Sequence, residues 1–79
     1  MFYYTYVLRS HKDRKLYIGF TGNIKERLKA HNQGEVESTK YRRPLELVYY
    51  EGCLSKELAG KRERYFMTGF GRKFLKSRI

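Results

Sequence analysis

Residues 17–31 read Tyr17-Ile18-Gly19-Phe20-Thr21-Gly22-Asn23-Ile24-Lys25-Glu26-Arg27-Leu28-Lys29-Ala30-His31, YIGFTGNIKERLKAH in one-letter form. The stretch opens on strand formers, Leu16, Tyr17, Ile18 and Phe20. It breaks at Thr21-Gly22 and restarts as a short helix. Asn23 is placed to cap that helix, and Glu26, three residues on, completes a capping-box-like pattern. Arg27 and His31 stand four residues apart and so share a helix face. A strand-end tyrosine therefore faces an arginine and a histidine across a glycine-containing turn. Rigid elements hold this polar group, which is where chemistry is best supported.

Upstream, FYYTYVLR (2–9) is dense in aromatic and β-branched residues and reads as a strand. Phe2, Tyr4, Tyr6 and Leu8 alternate with Tyr3, Thr5, Val7 and Arg9. Both faces are largely apolar, which predicts a central strand covered on both sides. SHKDRK (10–15) is a polar turn, so residues 2–9 and 16–20 form a hairpin that brings Tyr6 near Tyr17.

Downstream, a helix is expected over roughly 24–32, with Ile24 and Leu28 as its core stripe and Asn32-Gln33-Gly34 as its stop. GEVESTKYRR (34–43) reads as a mobile polar loop suited to phosphate contact, or as a solvated connector. Pro44 ends it. LELVYYEG (45–52) follows as a third strand, with Leu45, Leu47 and Tyr49 alternating against Glu46, Val48 and Tyr50. Tyr3, Tyr49 and Tyr50 are expected in the core.

Ser55 caps a helix running to about Met67, with Leu54 as a hydrophobic staple and Leu58, Ala59, Arg62, Tyr65 and Phe66 as the inner stripe. Glu63 lies at the edge of that stripe. Gly69-Phe70-Gly71 punctuates, and RKFLKSRI supplies a last basic turn or two with Phe74 and Leu75 inward. The fold class is α+β: one domain over residues 1–79, order β-β-α-β-α-α, with a small three-stranded antiparallel or mixed sheet flanked by helices.

Eighteen Lys and Arg against eight Asp and Glu give a net charge of +10 on 79 residues. Such self-repulsion points to a polyanionic partner. A membrane surface fits less well, because no long basic amphipathic helix appears. Two His and one Cys are too few for a structural zinc site, and the single Cys53 cannot form an internal disulfide. The N-terminus has no basic region before its apolar run, which Thr5 breaks and Arg9 ends, so neither a signal peptide nor a membrane span is expected. An intracellular, cytoplasmic protein is the simplest reading.

On these residues the chain resembles the GIY-YIG nuclease family, specifically its small single-domain members. Tyr17-Ile18-Gly19 stands as the intact second half-motif. Tyr4-Thr5-Tyr6 occupies the place of Gly-Ile-Tyr and keeps only the final tyrosine. Arg27 falls ten residues after Tyr17, where the family places its arginine. His31 matches the histidine common in repair-type members, and Glu63 matches the metal-binding glutamate on the helix after the third strand. The resemblance covers essentially the whole chain.

It implies a DNA endonuclease that uses one Mg²⁺ (or Mn²⁺) ion held by Glu63 and leaves a 5′-phosphate and a 3′-hydroxyl. Arg27 would stabilise the charged transition state, Tyr6 and Tyr17 would bind or activate the attacking water, and His31 would take the proton directly or through Tyr6, or only orient a phosphate. Lys25, Lys40, Arg42, Arg43, Arg72 and Lys73 are the basic side chains expected to bind nucleic acid. In the family, attached domains usually read sequence. A lone domain of this size is therefore expected to select DNA structure, in repair or recombination, or to be targeted by a protein partner. A non-catalytic basic nucleic-acid-binding module is the alternative, and it has no need of a carboxylate in a basic groove.

Overall fold

The computed structural model describes all 79 residues, Met1–Ile79. The N-terminal strand β1 (Tyr3–Ser10) is the middle of the sheet, flanked by β2 (Leu16–Thr21) and β3 (Leu45–Cys53) in the order β2-β1-β3. Both pairings are antiparallel, which decides between the antiparallel and mixed sheets expected. Helix α1 (Ile24–Asn32) lies between β2 and β3, and α2 (Lys56–Phe66) and α3 (Gly69–Lys76) complete the chain.

β1 reads as a buried strand because it is covered on both faces. On the α1 face Tyr6, Leu8 and Leu45 form one core, joined by Tyr17, Ile24, Leu28 and Leu47. On the other face Val7, Ile18, Phe66 and Leu75 form a second, joined by Leu16, Val48, Tyr49 and Phe74. The period-2 alternation of β1 thus feeds two separate apolar layers. Arg62 adds to the second layer. Its guanidinium stacks 4.6 Å from the Phe66 ring centroid and 5.0 Å from that of Phe74, and pairs with Glu51 at 2.7 Å.

The local signals that start and stop helices are realised with small changes. Asn23 caps α1 by accepting from the Glu26 amide at 3.1 Å, but Glu26 does not reach back. The Asn23 amide donates to Thr21 Oγ1 instead, so the capping box is half formed. Ser55 caps α2, and Gly34 follows α1 with a φ of 79°, a conformation that favours glycine.

Four expectations change. Strict alternation in β3 fails, because Val7 pairs with Tyr49 and Leu8 with Leu47, leaving Val48 as an extra residue. This bulge turns Val48 and Tyr49 to the same core and leaves Tyr50 54% exposed, outside the core. Leu54 and Leu58 are exposed, so the staple is not buried, and the close face of α2 is Ala59, Gly60 and Phe66. Gly69-Phe70-Gly71 does not punctuate. It is the first turn of α3, capped by Thr68, and a Cβ on Gly71 would sit 2.6 Å from the Phe66 Cα. Finally, the 34–43 loop is anchored. Val36 and Thr39 are buried, and the Arg42 carbonyl accepts from Ser10 Oγ at 2.6 Å.

Candidate active site

The hairpin register explains the Tyr-Ile-Gly signature. Gly19 stands opposite Tyr6, while Tyr17 stands opposite Leu8 on the same face. The Tyr6 phenol lies directly over Gly19, where a Cβ would come within 2.6 Å of its hydroxyl oxygen. Only glycine leaves room for that ring. Ile18, pointing the other way, anchors the strand in the opposite core. The tyrosine rings lie 6.4 Å apart, and Tyr17 packs edge-on to the His31 ring at 5.0 Å.

α1 brings its Arg27–His31 face over this pair. Tyr6 Oη is 2.9 Å from His31 Nε2, and His31 Nδ1 is 2.7 Å from Thr39 Oγ1. Tyr6 is 2% exposed, and His31 and Thr39 are fully buried. Burial, with the Arg27 charge as a second cause, pulls the His31 pKa down to about 4, so the ring is neutral at physiological pH. Burial also raises the Tyr6 pKa. Arg27 opposes that rise, and Tyr17 and Glu63 add to it. Arg27 is exposed and its own pKa is raised, first by its interaction with Tyr6.

Glu63 reaches the group from α2. It is half-buried, and its charge is felt at Tyr6. The carboxylates of Asp13, Glu37, Glu46, Glu51 and Glu57 all have a basic partner, whereas Glu26, Glu35 and Glu63 have none, and of these three only Glu63 is half-buried. No cluster of three or more His, Cys, Asp or Glu side chains could cage a metal ion. A lone carboxylate with open neighbours still fits Mg²⁺, which keeps several waters and accepts substrate phosphate as ligand.

Tyr6, Tyr17, Arg27 and His31 are therefore neighbours, while Glu63, 57 residues beyond Tyr6, is linked to them through its charge alone. His31 is buried, and its two ring nitrogens face Tyr6 and Thr39.

The basic candidates divide. Lys25 is exposed at the start of α1, and Lys40 and Arg43 line a hollow with Lys12, Asn32 and Tyr41. Arg42 is committed elsewhere, to Asp13 at 2.7 Å, where it holds the Asp13 carboxyl well below the usual range. Arg72 and Lys73 are exposed on α3, across the sheet from the tyrosines. Thr39 belongs to the loop that the sequence suits to phosphate contact, and instead its side chain is buried against His31. It lies in a polar loop eight residues from His31, and no local pattern marks it.

Comparison with known proteins agrees with this fold. The family model described as the GIY-YIG catalytic domain matches residues 2–75. The UPF0213 protein CPE1444 of Clostridium perfringens is 44% identical over 63 residues, covering 78% of this chain and 67% of that one. The UPF0213 protein SpyM50708 of Streptococcus pyogenes is 45% identical over 64 residues, 80% and 68% of the two chains. The solution structure of the UPF0213 protein BH0048 from Bacillus halodurans superposes with a TM-score of 0.58 at 31% identity, covering 98% of this chain and 84% of that one.

Proposed function

The chain belongs to the GIY-YIG family, a nuclease domain family, and from that membership we propose that it is a metal-dependent endonuclease hydrolysing DNA phosphodiester bonds. Glu63 carries this reading. A half-buried carboxylate without a basic partner, in a protein of net charge +10 and within electrostatic reach of Tyr6, is unexpected in a module that only binds anions.

Phosphodiester hydrolysis needs an activated water, a clamp on the developing charge and help for the leaving oxygen. Glu63 would hold Mg²⁺ or Mn²⁺, an ion that when bound supplies Lewis-acid stabilisation of the phosphate charge. Arg27 presents a permanently charged fork to phosphate oxygens. The Tyr6 and Tyr17 hydroxyls hold the attacking water, and Arg27 favours phenolate character at Tyr6. His31 acts on this water only through Tyr6. Lys25, Lys40 and Arg43 would carry flanking phosphates on the α1 side, and cleavage would leave a 5′-phosphate and a 3′-hydroxyl. Recognition of DNA structure, in repair or recombination, fits a domain with little surface for reading bases. A protein partner could supply targeting.

Labelled single-stranded, duplex, flap and branched DNA, incubated with Mg²⁺ or with EDTA, tests the proposal. Cleavage with Mg²⁺ that disappears with EDTA and in folded Arg27→Ala and Glu63→Gln proteins is the expected result. Unchanged cleavage in either variant overturns the residue assignment. Binding without cutting on every substrate favours the non-catalytic module.

A further inference from the structure

The bulge in β3 decides which of its tyrosines faces the site. Leu47 stands opposite Leu8 on the α1 face, and Val48 is the extra residue. With strict alternation from Leu47, Tyr49 would stand opposite Tyr6 and Tyr50 would face the α2–α3 core. The bulge exchanges them. Tyr49 packs edge-on to Phe66 and Phe74, while Tyr50 stands opposite Tyr6 and is exposed. Bulges that re-aim a side chain are over-represented beside active sites.

Tyr50 does not stand alone. Tyr4 lies on the same face of β1, two residues before Tyr6, with its ring over Gly52, where a Cβ would come within 3.1 Å of it. Tyr6 leans the opposite way, over Gly19. The Tyr4 and Tyr50 rings meet edge-on at 6.0 Å, and the exposed Phe2 extends the row 6.2 Å from Tyr4. Tyr4 and Tyr50 share an open hollow with Gly22, Asn23, Ile24 and Lys25 of the turn into α1. Lys25 is exposed, has no acidic partner and lies two residues before Arg27. Neighbouring aromatic rings open to water form a patch, which marks an interaction surface, unlike apolar residues scattered singly. Beside an unpaired lysine, in a protein of net charge +10, that patch suits a nucleic-acid strand with its bases free: ring faces take bases and cations take phosphates. In a duplex the base faces are already covered by their neighbours, so only an unpaired base can use the rings.

We propose that Tyr4 and Tyr50 form a stacking subsite for an unpaired DNA base, with Lys25 on the adjoining phosphate. The subsite adjoins Tyr6 along the sheet and Arg27 along α1, so the nucleotide it holds lies next to the phosphate to be cut. DNA with an unpaired nucleotide at that position is then preferred over continuous duplex. This preference in cutting rests on the endonuclease reading; the binding of the base does not.

Fluorescence anisotropy in EDTA tests the subsite by binding alone. The probes are a labelled oligothymidylate, an abasic oligomer of the same length and a blunt duplex. The wild-type protein should bind the oligothymidylate more tightly than the abasic oligomer. Tyr50→Ala should weaken oligothymidylate binding about 5- to 150-fold, the range for losing one stacked base, and leave the abasic oligomer and the duplex unchanged. Tyr50→Phe keeps the ring and should keep the affinity. Lys25→Ala should weaken the oligothymidylate and the abasic oligomer alike and lower the salt slope by about one. Equal wild-type affinity for oligothymidylate and abasic oligomer overturns the proposal. So does a Tyr50→Ala protein that loses both equally, or a Tyr50→Phe protein that loses as much as Tyr50→Ala. Should Tyr50→Ala fail to fold, the wild-type comparison of the two oligomers still decides. Cleavage is read separately with Mg²⁺: if no substrate is cut, the endonuclease reading fails, and the anisotropy comparison alone decides the subsite.

Discussion

At the scale of single residues the site depends on what is missing as much as on what is present. Gly19→Ala would place a methyl within 2.6 Å of the Tyr6 hydroxyl. The ring must move, at a cost of about 1–3 kcal/mol. Calorimetry should show a lowered Tm, and cleavage should fall further than stability, because the displaced phenol is the one proposed to hold the attacking water. His31 gives a second expectation, for pH. Burial and Arg27 depress its folded pKa to about 4, while the unfolded chain takes its proton near 6.5. Between those values the unfolded state binds more protons, so this contribution is whole above pH 6.5 and is lost as pH falls toward 4. The slope is at most about 1.4 kcal/mol per pH unit. Denaturant titrations at pH 7 and pH 5 should differ accordingly, and His31→Gln should flatten the difference. The Asp13–Arg42 pair, whose carboxyl is also depressed, weakens only at lower pH.

At the scale of elements, the features set by neighbours in sequence were legible and those set by distant contact were not. Asn23, Ser55 and Gly34 mark helix ends because capping and positive φ are local matters. The alternation of β1 foretold its double covering. The bulge at Val48 was invisible, because nothing in LELVYYEG distinguishes one run of alternating residues from two registers joined by an extra one. Gly71 reads as a stop when taken alone. It opens α3 because α2 passes too close for a side chain. Of the site, Tyr17, Arg27 and His31 could be read from one stretch, and Tyr6 from the hairpin. Glu63 could be identified only by resemblance, and Thr39 by neither route. The α2–α3 contact carries its own expectation. Gly71→Ala, 2.6 Å from the Phe66 Cα, should destabilise the protein by about 1–3 kcal/mol, measured as a shift in denaturation midpoint, while an exposed change such as Arg72→Ala on the same helix should not.

At the scale of the whole molecule, charge and chemistry separate. A net charge of +10 makes nucleic-acid affinity fall linearly in log[salt]. Binding measured by anisotropy should therefore weaken steeply between 50 and 200 mM salt, roughly 10³-fold if six phosphates are neutralised, and should be the same with Mg²⁺ or EDTA in the Glu63→Gln protein. Loss of binding in EDTA would instead tie affinity to the metal. The sheet order β2-β1-β3 has a further consequence, for how the protein comes into being. β1 is synthesised before its partners, yet the second of them ends at Cys53 and the helices that close its far face end at Lys76. The hairpin with β2 and the first helix can assemble early, and with them Tyr6, Tyr17 and Arg27. Val7, Leu8 and Tyr6 stay half-wrapped until α3 has emerged. A pairing across some 50 residues makes this a high-contact-order core. Folding of the nascent chain is thus a late, concerted event, and until it happens the aromatic strand that becomes the middle of the sheet is an exposed edge open to other chains.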